Sequence, residues 1–531
     1  MKSKLLSVLT PICLLATLAL GGCKGSGLGS ADTDKLDVTL DTRGVTISIW
    51  TGFGQTITDY ITEITDEFTA KTGIKVEHES KGGYPNLQTA INLSVTQRSY
   101  PNVALGYPDH FAGYINSNIQ LRLDGLIKND SKRDSGKKDD EGYAIDNEGI
   151  RLLNYDDFYK DYTPENENLE FDKEGKGYIL GLPFNKSSEA MCYNSTFFEW
   201  AASDTTYKDT IFVPKTWAEV KSVGLAVRSL LKNKGVYGKM LASDGNVYTN
   251  EAAIPSGHHK VFNGTSVTED NFRLFSYDST ENLFITLVRQ FGGTYTELDK
   301  TKTGKGYAVF NDEPYRAKTL EAMDMFKDLA DNKVVGIPAT FGESLYCSTP
   351  YKNYQSLLNV GSTAGVSNAV PEGNAFVTKA APIPQNGNLE NKFVISQGTN
   401  LALFNKVTDK EKVAAWKLMI YLSQQANGKF AALSGYFPTC GAATNSAEYQ
   451  DYLEHAVGAK DILQQQCAKV NKDIYGNAED HWTRFVDVAF LGSSSVRQQV
   501  GFIPGYIISG ELGSNENILK KTYENLPDFI H

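Results

Sequence analysis

The sequence predicts an α/β protein with two lobes. Alternating β-branched and polar residues over 45–50 predict a strand, and apolar residues at helical spacing over 57–68 predict a helix. A second strand follows over 73–77, and a strand, a helix and a strand at this spacing form a βαβ unit with a parallel pair. The length of 531 residues exceeds that of an ordinary single domain, so two lobes are expected.

The start of the chain has the pattern of a secretory signal. Lys2 and Lys4 precede a mostly apolar run over 5–20, which is shorter than the roughly 20 residues that a membrane-spanning helix needs. The sequence Leu-Gly-Gly-Cys then ends at Cys23 and resembles a bacterial lipobox, which implies cleavage before Cys23 and lipidation of its sulfur. An ordinary signal peptide with an incidental cysteine is the alternative.

The residues after Cys23 favour the lipoprotein. They are rich in Gly and Ser over 24–34, a composition typical of a flexible tether. We therefore expect a signal peptide over 1–22, and a lipidated Cys23 with a flexible tether over 23–43. The protein is expected outside the cytoplasm, anchored to the cell membrane.

Composition fits a globular body. Hydrophobic residues make up 41% and charged residues 22% of the chain, ordinary values for a protein with a buried core. The formal net charge of -11 argues against nucleic acid or an anionic membrane surface as a partner. No cofactor is expected.

Four cysteines remain after Cys13 leaves with the signal and Cys23 is lipidated. They form no Cys-x-x-Cys pair, so the sequence predicts no metal site of the zinc type. Three disulfide pairings and isolated buried thiols are all compatible with Cys192, Cys347, Cys440 and Cys467.

The first lobe offers ligand-facing positions at the ends of its predicted strands, because ligands of open α/β sheets bind beyond the carboxyl ends of strands. The turn over 51–55 follows the first strand and Tyr84 follows the second. A helix over 86–95 leads to a third strand over 101–106, which ends near Tyr107 and Asp109.

Two later stretches differ from this alternation. Residues 128–176 are dense in charged residues with few apolar anchors and lack a calcium-binding loop, which indicates a solvated insertion. The stretch 177–194 predicts a strand over 178–182, a break at Pro183, a polar loop over 185–189 and a second strand. We interpret this stretch as a crossing between the lobes.

The rest of the chain continues the α/β pattern. Thr216 and Glu219 form a capping box that starts a helix, and Trp217 and Trp416 lie in helical apolar patterns typical of a core. Further helices are predicted over 282–290, 319–329 and 410–422, and strands over 307–310, 357–360, 376–381 and 400–404.

A series of short segments in one order resembles a known family. The segments are Thr46–Gln55, Glu67-Phe68 with 72–76, 180–184, 191–194, 214–219, 361–365, 396–404, 414–423 and 434–438. In this order they resemble family 1 extracellular solute-binding proteins, the receptors of bacterial ABC importers, mostly for carbohydrates. The resemblance runs from about residue 45 to the C-terminus and omits 128–176 and much of 232–275.

The resemblance implies a periplasmic-binding-protein-like fold, with a ligand cleft between two lobes joined by crossing segments. It implies a monomer that binds a mono- or oligosaccharide and delivers it to the permease subunits. The expected divisions are lobe 1 over 44–186, lobe 2 over 187–396, a return to lobe 1 over 397–425 and a return to lobe 2 over 426–531.

The same resemblance implies the ligand-binding residues. Aromatic faces suit the C–H-rich surfaces of sugars, and carboxylate, amide and hydroxyl groups suit their hydroxyls. For each aromatic residue, packing in the core is the alternative. The implied positions are Phe53, Tyr84, Asp109, Ser187, Ser188, Ser362, Thr363, Gly398, Thr399 and Tyr436.

Two other functions stay open. In the glycerol-phosphate branch of the family a phosphate-binding arginine would fall near Phe490, so a neutral carbohydrate is favoured, although Arg497 keeps a phosphodiester ligand open. A polysaccharide-degrading enzyme with two catalytic carboxylates is the second alternative. The chain has no Gly-x-Ser-x-Gly, His-Glu-x-x-His or Walker motif, and His258-His259 is interpreted as a surface pair.

Overall fold

The computed structural model describes residues 30–387, 390, 392–406, 408–476 and 478–531. The predicted signal peptide and the lipidated Cys23 lie outside the described residues. Within those ranges, none of the helices combines the length and the apolar character needed to cross a membrane.

The strands occur along the whole described chain. They are β1 (Thr46–Thr51), β2 (Lys75–Ser80), β3 (Val103–Gly106), β4 (Lys137–Lys138), β5 (Ala144–Ile145), β6 (Leu182–Ser187), β7 (Glu189–Asn194), β8 (Met240–Ala242), β9 (Val247–Tyr248), β10 (Lys260–Asn263), β11 (Phe275–Tyr277), β12 (Thr296–Leu298), β13 (Gly306–Ala308), β14 (Val335–Gly336), β15 (Leu358–Ser362), β16 (Thr378–Ala381), β17 (Lys392–Ile395), β18 (Gln397–Leu403) and β19 (Trp482–Phe485).

Helices alternate with these strands and then dominate the C-terminal part. They are α1 (Gln55–Thr72), α2 (Tyr84–Ser94), α3 (Pro108–Asn116), α4 (Asp124–Asn129), α5 (Ser195–Ser203), α6 (Trp217–Asn233), α7 (Thr280–Gln290), α8 (Tyr315–Asp331), α9 (Ser348–Lys352), α10 (Asp409–Ile420), α11 (Asn427–Ser434), α12 (Gly441–Thr444), α13 (Ala447–Glu454), α14 (Ala459–Lys469), α15 (Ser493–Val500), α16 (Ile503–Ser509) and α17 (Asn515–Glu524).

Lobe 1 is built on a five-stranded sheet in the order β2-β1-β3-β18-β6. The predicted βαβ unit is confirmed, because β1 pairs in parallel with β2 and α1 connects them. Helix α1 buries Ile61, Ile64 and Phe68, and it ends at Gly73, whose φ of 72° is the left-handed conformation that favours glycine at a helix C-terminus.

Lobe 2 is built on a second five-stranded sheet in the order β14-β11-β15-β7-β16. Each sheet supports its own hydrophobic core, with Trp416 in the core of lobe 1 and Trp217 in the core of lobe 2, as predicted. The capping box of Thr216 and Glu219 at the start of α6 is also confirmed. The molecule is therefore a two-lobed α/β protein.

The chain passes between the two lobes at three places in its described part. Ser188 alone separates β6 of lobe 1 from β7 of lobe 2, and Ser396 alone separates β17 from β18. The third passage lies between α13, which packs against α11 in lobe 1, and α14, which packs against β16 in lobe 2. Two of the passages therefore leave almost no chain between strands of different sheets.

The structure differs from the sequence prediction around the first passage. The strand predicted over 178–182 and the loop predicted over 185–189 are wrong, because β6 runs over Leu182–Ser187. Pro183 lies inside this strand instead of breaking it. Because β6 is the edge strand of its sheet, the missing N–H of Pro183 removes no bond to a further strand.

The structure places three stretches differently from the sequence predictions. In the predicted tether, Leu36 and Val38 pack in the core of lobe 1. The insertion predicted to be solvated buries Ile150 and Phe158 in the same core. Phe430, placed by sequence in the return to lobe 2, also belongs to the core of lobe 1, because the chain crosses only after α13.

All four remaining cysteines are buried and unpaired. Of the two interpretations that the sequence left open, isolated thiols are observed at Cys192, Cys347, Cys440 and Cys467.

A buried ionic network attaches the insertion to lobe 1. The guanidinium of Arg133 donates to both carboxylate oxygens of Asp130, at 2.9 and 3.0 Å, and to Asp146. The indole of Trp416 donates to Asp130 at 2.7 Å, and the ammonium of Lys417 lies 3.7 Å from Asp146. The network thus joins the insertion to helix α10.

We expect Arg133→Ala to lower the free energy of unfolding by about 3–5 kcal/mol, because two buried carboxylates lose their main partner. Urea unfolding followed by circular dichroism measures this loss. Arg43→Ala is the matched control: Arg43 makes a similar pair with Asp41, but its side chain is 71% exposed. The control should leave stability nearly unchanged, because an exposed ion pair contributes little, and equal losses in both variants would contradict the prediction.

A buried carboxylate sits at the first passage between the lobes. Glu189 is only 1% exposed, accepts a hydrogen bond from the Asn282 amide at 2.7 Å and another from the Tyr277 hydroxyl. Burial raises the pKa of Glu189 from 4.5 to about 7. Glu189 is therefore protonated in the folded state over part of the pH range in which an unfolded chain would ionise it.

This raised pKa predicts that stability decreases with rising pH. The contribution of Glu189 is fully present below about pH 4.5 and is lost as the pH rises to about 7, an effect of about 3 kcal/mol. Asp278, whose pKa burial raises to about 6, acts in the same direction. Urea unfolding at pH 4.5 and pH 7.5 should show a smaller pH effect in Glu189→Gln than in the parent, and parallel curves would contradict this.

Candidate ligand-binding site

Aromatic side chains line the edge of lobe 1 where its parallel strands end. The rings of Tyr84 and Tyr107 meet edge to face with their centroids 5.1 Å apart. The ring centroid of Phe53 lies 6.2 Å from that of Tyr84 and 6.1 Å from that of Tyr436. Gly52 permits this packing, since a Cβ there would stand 2.9 Å from the Tyr84 ring and backbone. The predicted residues Phe53, Tyr84 and Tyr436 thus form one wall.

The members of this wall differ in exposure. Phe53 is 5% exposed and packs between Tyr84, Phe430 and Tyr436, so that it supports the wall from behind. Tyr84, Tyr107 and Tyr436 are only partly buried. Tyr107 was not among the predicted site residues, although its position directly after β3 is the sequence feature that locates it.

Asn185 connects the wall to the strands that cross between the lobes. The side-chain N–H of Asn185 donates to the Tyr84 hydroxyl at 3.0 Å, and its side-chain oxygen accepts from the hydroxyl of the predicted residue Thr399. Burial raises the pKa of Tyr84 and Tyr436, which keeps both phenols neutral. They are therefore available as hydrogen-bond donors and acceptors. Asn185 was missed as a site residue, and its place in the predicted polar loop was the available indication.

Ser187 and Ser362 bring the two lobes together at the same edge. Their hydroxyls lie 3.4 Å apart, one at the end of β6 in lobe 1 and the other at the end of β15 in lobe 2. Ser187 is buried and Ser362 partly buried. Both predicted residues therefore stand where a ligand between the lobes would meet the crossing strands.

Ser188, Thr363 and Gly398 hold the crossing strands in place. The backbone N–H of Ser188 donates to the Thr363 hydroxyl at 3.1 Å, and the Ser188 hydroxyl donates to the Ile395 carbonyl at 2.8 Å. Gly398 has a φ of 106°, and a Cβ there would stand 2.0 Å from the backbone carbonyl oxygen of Asn185. Their polar groups are occupied by the protein, which indicates a structural role beside the ligand site.

Lobe 2 faces this wall with charged groups. Helix α15 packs against α3, which starts next to Asp109. The partly exposed Arg497 of α15 pairs with Asp487 and donates to the Asn282 side chain. Carboxylates raise the pKa of Arg497 despite its partial burial, with Asp487 the strongest and Asp109 among them. Because α15 of lobe 2 packs against α3 of lobe 1, Arg497 and Asp109 lie on neighbouring helices of the two lobes.

The side chain at the position expected for a phosphate-binding arginine does not face the cleft. Phe490 is fully buried in the core of lobe 2, and its ring packs so closely on Gly306 that a Cβ there would stand 2.4 Å away. The guanidinium of Arg497 already binds Asp487 and Asn282.

Two other features lie apart from this cleft. His258 and His259 are exposed, as predicted for a surface pair. A surface groove on lobe 2 is bordered by Lys352 and by residues 367–368, 370–374 and 457–461, and none of the predicted site residues borders it.

Comparison with proteins of known structure shows the same fold. The chain resembles UgpB of Mycobacterium tuberculosis in complex with glycerophosphocholine (14% identity, TM-score 0.58), with 90% of this chain and 97% of UgpB covered. It resembles Lmo0181 of Listeria monocytogenes in complex with cycloalternan (13% identity, TM-score 0.59), with 91% of this chain and 97% of Lmo0181 covered. It also resembles the sugar-binding protein MalE of Xanthomonas citri (14% identity, TM-score 0.59), with 92% of this chain and 97% of MalE covered.

Sequence comparison gives the family. No curated protein sequence matches the chain. The family model described as bacterial extracellular solute-binding protein matches residues 63–457, most of the chain. The chain therefore belongs to the bacterial extracellular solute-binding proteins.

Proposed function

We propose that this protein is the lipid-anchored receptor of an ABC importer and binds a carbohydrate between its lobes. The observation that carries the proposal is the convergence of Tyr84, Asn185 and Tyr436 with Ser187 and Ser362 at one inter-lobe edge. The tyrosine faces would cover C–H surfaces of a sugar ring, and the hydroxyl and amide groups would bind its hydroxyls. The fold neighbours that bind saccharides support this class of ligand, and the family supports a role in binding a solute.

In this proposal, binding and delivery follow from lobe closure. A ligand that touches Tyr84 in lobe 1 and Ser362 in lobe 2 together is bound best when the lobes are close, so it increases the population of the closed arrangement. The closed receptor would then dock on the permease subunits as a monomer. The proposal assigns no catalytic role to the cleft residues, and hydrolysis of an oligosaccharide by the purified protein would favour the enzyme alternative instead.

A phosphodiester such as a glycerol-phosphate ester is the second candidate ligand. It is favoured by the partly exposed guanidinium of Arg497 on α15, which packs against the helix that carries Asp109, and by the neighbour that binds glycerophosphocholine. Against it, the guanidinium fork that would bind a phosphate is occupied by Asp487 and Asn282. We therefore place the neutral carbohydrate first.

The first test is a thermal-shift screen with mono- and oligosaccharides, polyols and glycerol-phosphate esters. The protein without residues 1–23 should be stabilised by about 2.7 kcal/mol when a true ligand is present at 100 times its dissociation constant. A shift with one sugar class supports the proposal and identifies the ligand. A shift with phosphate esters alone would replace it by the second candidate.

For the sugar found, Tyr84→Phe should weaken binding roughly tenfold, because the Asn185 amide loses its acceptor and the ligand loses a hydroxyl partner. Isothermal titration calorimetry measures the change. Tyr60→Phe makes the same chemical change on helix α1, outside the wall, and should bind as the parent does. Unchanged affinity in Tyr84→Phe would remove Tyr84 from the proposed site.

The lipid anchor has a separate test. Cys23→Ser should move the protein from the membrane fraction to the soluble fraction and abolish its labelling by a fatty-acid analogue in vivo. Cys13→Ser changes a cysteine inside the predicted signal and should leave both the labelling and the membrane fraction intact. Retention of the label in Cys23→Ser would contradict the proposal.

A further inference from the structure

The charged insertion contains a segment that touches both lobes. We call residues 158–170 the strap. At its start, the backbone N–H of Tyr159 donates to the Thr439 carbonyl at 3.1 Å, and the Tyr159 hydroxyl lies 2.6 Å from that of Thr444. At its end, Glu170 pairs with Arg122 at 2.6 Å. Both ends of the strap are therefore attached to lobe 1.

The middle of the strap reaches lobe 2. The carboxylate of Asp161 accepts from Nε of Arg484 at 2.8 Å and from its Nη2 at 2.5 Å. Arg484 lies in β19, which pairs with β17 in lobe 2, and its Nη1 donates to Asn471 at 3.0 Å. The pair is thus an ionic contact between the lobes, with the Arg484 side chain 12% exposed.

A second contact joins the strap to lobe 2 at another place. The backbone N–H of Gly304 donates to the carbonyl of Leu169 at 3.1 Å. Gly304 lies in the turn between β12 and β13, whose residues pack on the core of lobe 2, whereas the Leu169 side chain is buried in the core of lobe 1. The strap therefore holds lobe 2 at two separate points.

Between these points the strap contacts the crossing strand itself. Glu165 pairs with Lys186, and both side chains are almost completely buried, at 4% and 1% exposed. Tyr162 lies between charges from both sides, with the Arg484 guanidinium 5.8 Å and the Lys186 ammonium 5.9 Å from its ring centroid. Lys186 directly precedes Ser187, so the strap touches the chain next to the point where the lobes join.

We propose that the strap is a clasp that sets the equilibrium between lobe arrangements. The Asp161–Arg484 pair and the Leu169–Gly304 bond join the lobes as described here, so an opening that separates Arg484 and Gly304 from the strap would break both contacts, which therefore favour the closed arrangement. A ligand that closes the lobes would then act on an equilibrium already biased by the strap. This inference concerns the lobes alone and is independent of the identity of the ligand.

The test measures the distance between the lobes by single-molecule energy transfer. Dyes are attached to Ala70→Cys on α1 and Ala317→Cys on α8, both exposed helical positions, in the chain that begins at residue 24. The native cysteines are buried, and burial raises the pKa of Cys192 and Cys440 to about 12, which keeps these thiols unreactive.

Asp161→Asn and Arg484→Met should each raise the ratio of open to closed molecules about fivefold, in the absence of added solute. The Asp161 side chain is 41% exposed, so Asp161→Asn is expected to fold, which circular dichroism verifies. The exchanged pair, Asp161→Arg with Arg484→Asp, should restore most of the parental distribution.

Asp156→Asn is the matched control. Asp156 is 95% exposed and its partner Lys160 belongs to the same insertion, so its loss should leave the lobe distance unchanged. Distributions for Asp161→Asn and Arg484→Met that equal those of the control and the parent would overturn the proposal. A folded exchange variant that is as open as the single variants would overturn the ion pair as its cause. The proposed carbohydrate specificity would stand in either case.

Discussion

The fold depends on the short passages between its two lobes. Strands β6 and β7 belong to different sheets and only Ser188 separates them, while Ser396 alone separates β17 from β18. With so little chain between the strands, the lobes share one edge, and the atoms at that edge must pack closely. The φ of 106° at Gly398, and the close approach of the Asn185 carbonyl to it, are direct consequences.

This constraint also explains the composition of the candidate site. Every backbone group near the passages needs a partner because the region is buried, and the hydroxyls of Ser188 and Thr363 supply some of them. The polar side chains that remain at the edge, among them those of Ser187 and Ser362, stand between the two lobes. Within one short polar segment, some residues therefore make bonds that hold the crossing strands, and others face the cleft. The direction in which each strand presents a side chain decides which of the two it does.

The insertion adds a connection between the lobes that is separate from the passages of the chain between them. Its ionic network around Arg133 fixes it to helix α10, and from this base residues 158–170 extend over the crossing to Arg484 and Gly304. A charged sequence is easily interpreted as a solvated loop. Here some of the charges, among them those of Arg133 and Glu165, occur in buried, compensated pairs, which is the arrangement that permits them inside a protein.

The sequence by itself determined the α/β class, the βαβ start of lobe 1, the two core tryptophans and the set of segments that identifies the family. These features depend on local periodicity, caps and short motifs, which residues near in sequence encode. Only the tertiary structure decided that Pro183 lies inside an edge strand, that Leu36 and Phe430 belong to the first core, and that Asn185 and Tyr107 join Tyr84 in one wall. Each of these outcomes depends on contacts between residues far apart in the chain, and local sequence patterns carry no information about such partners.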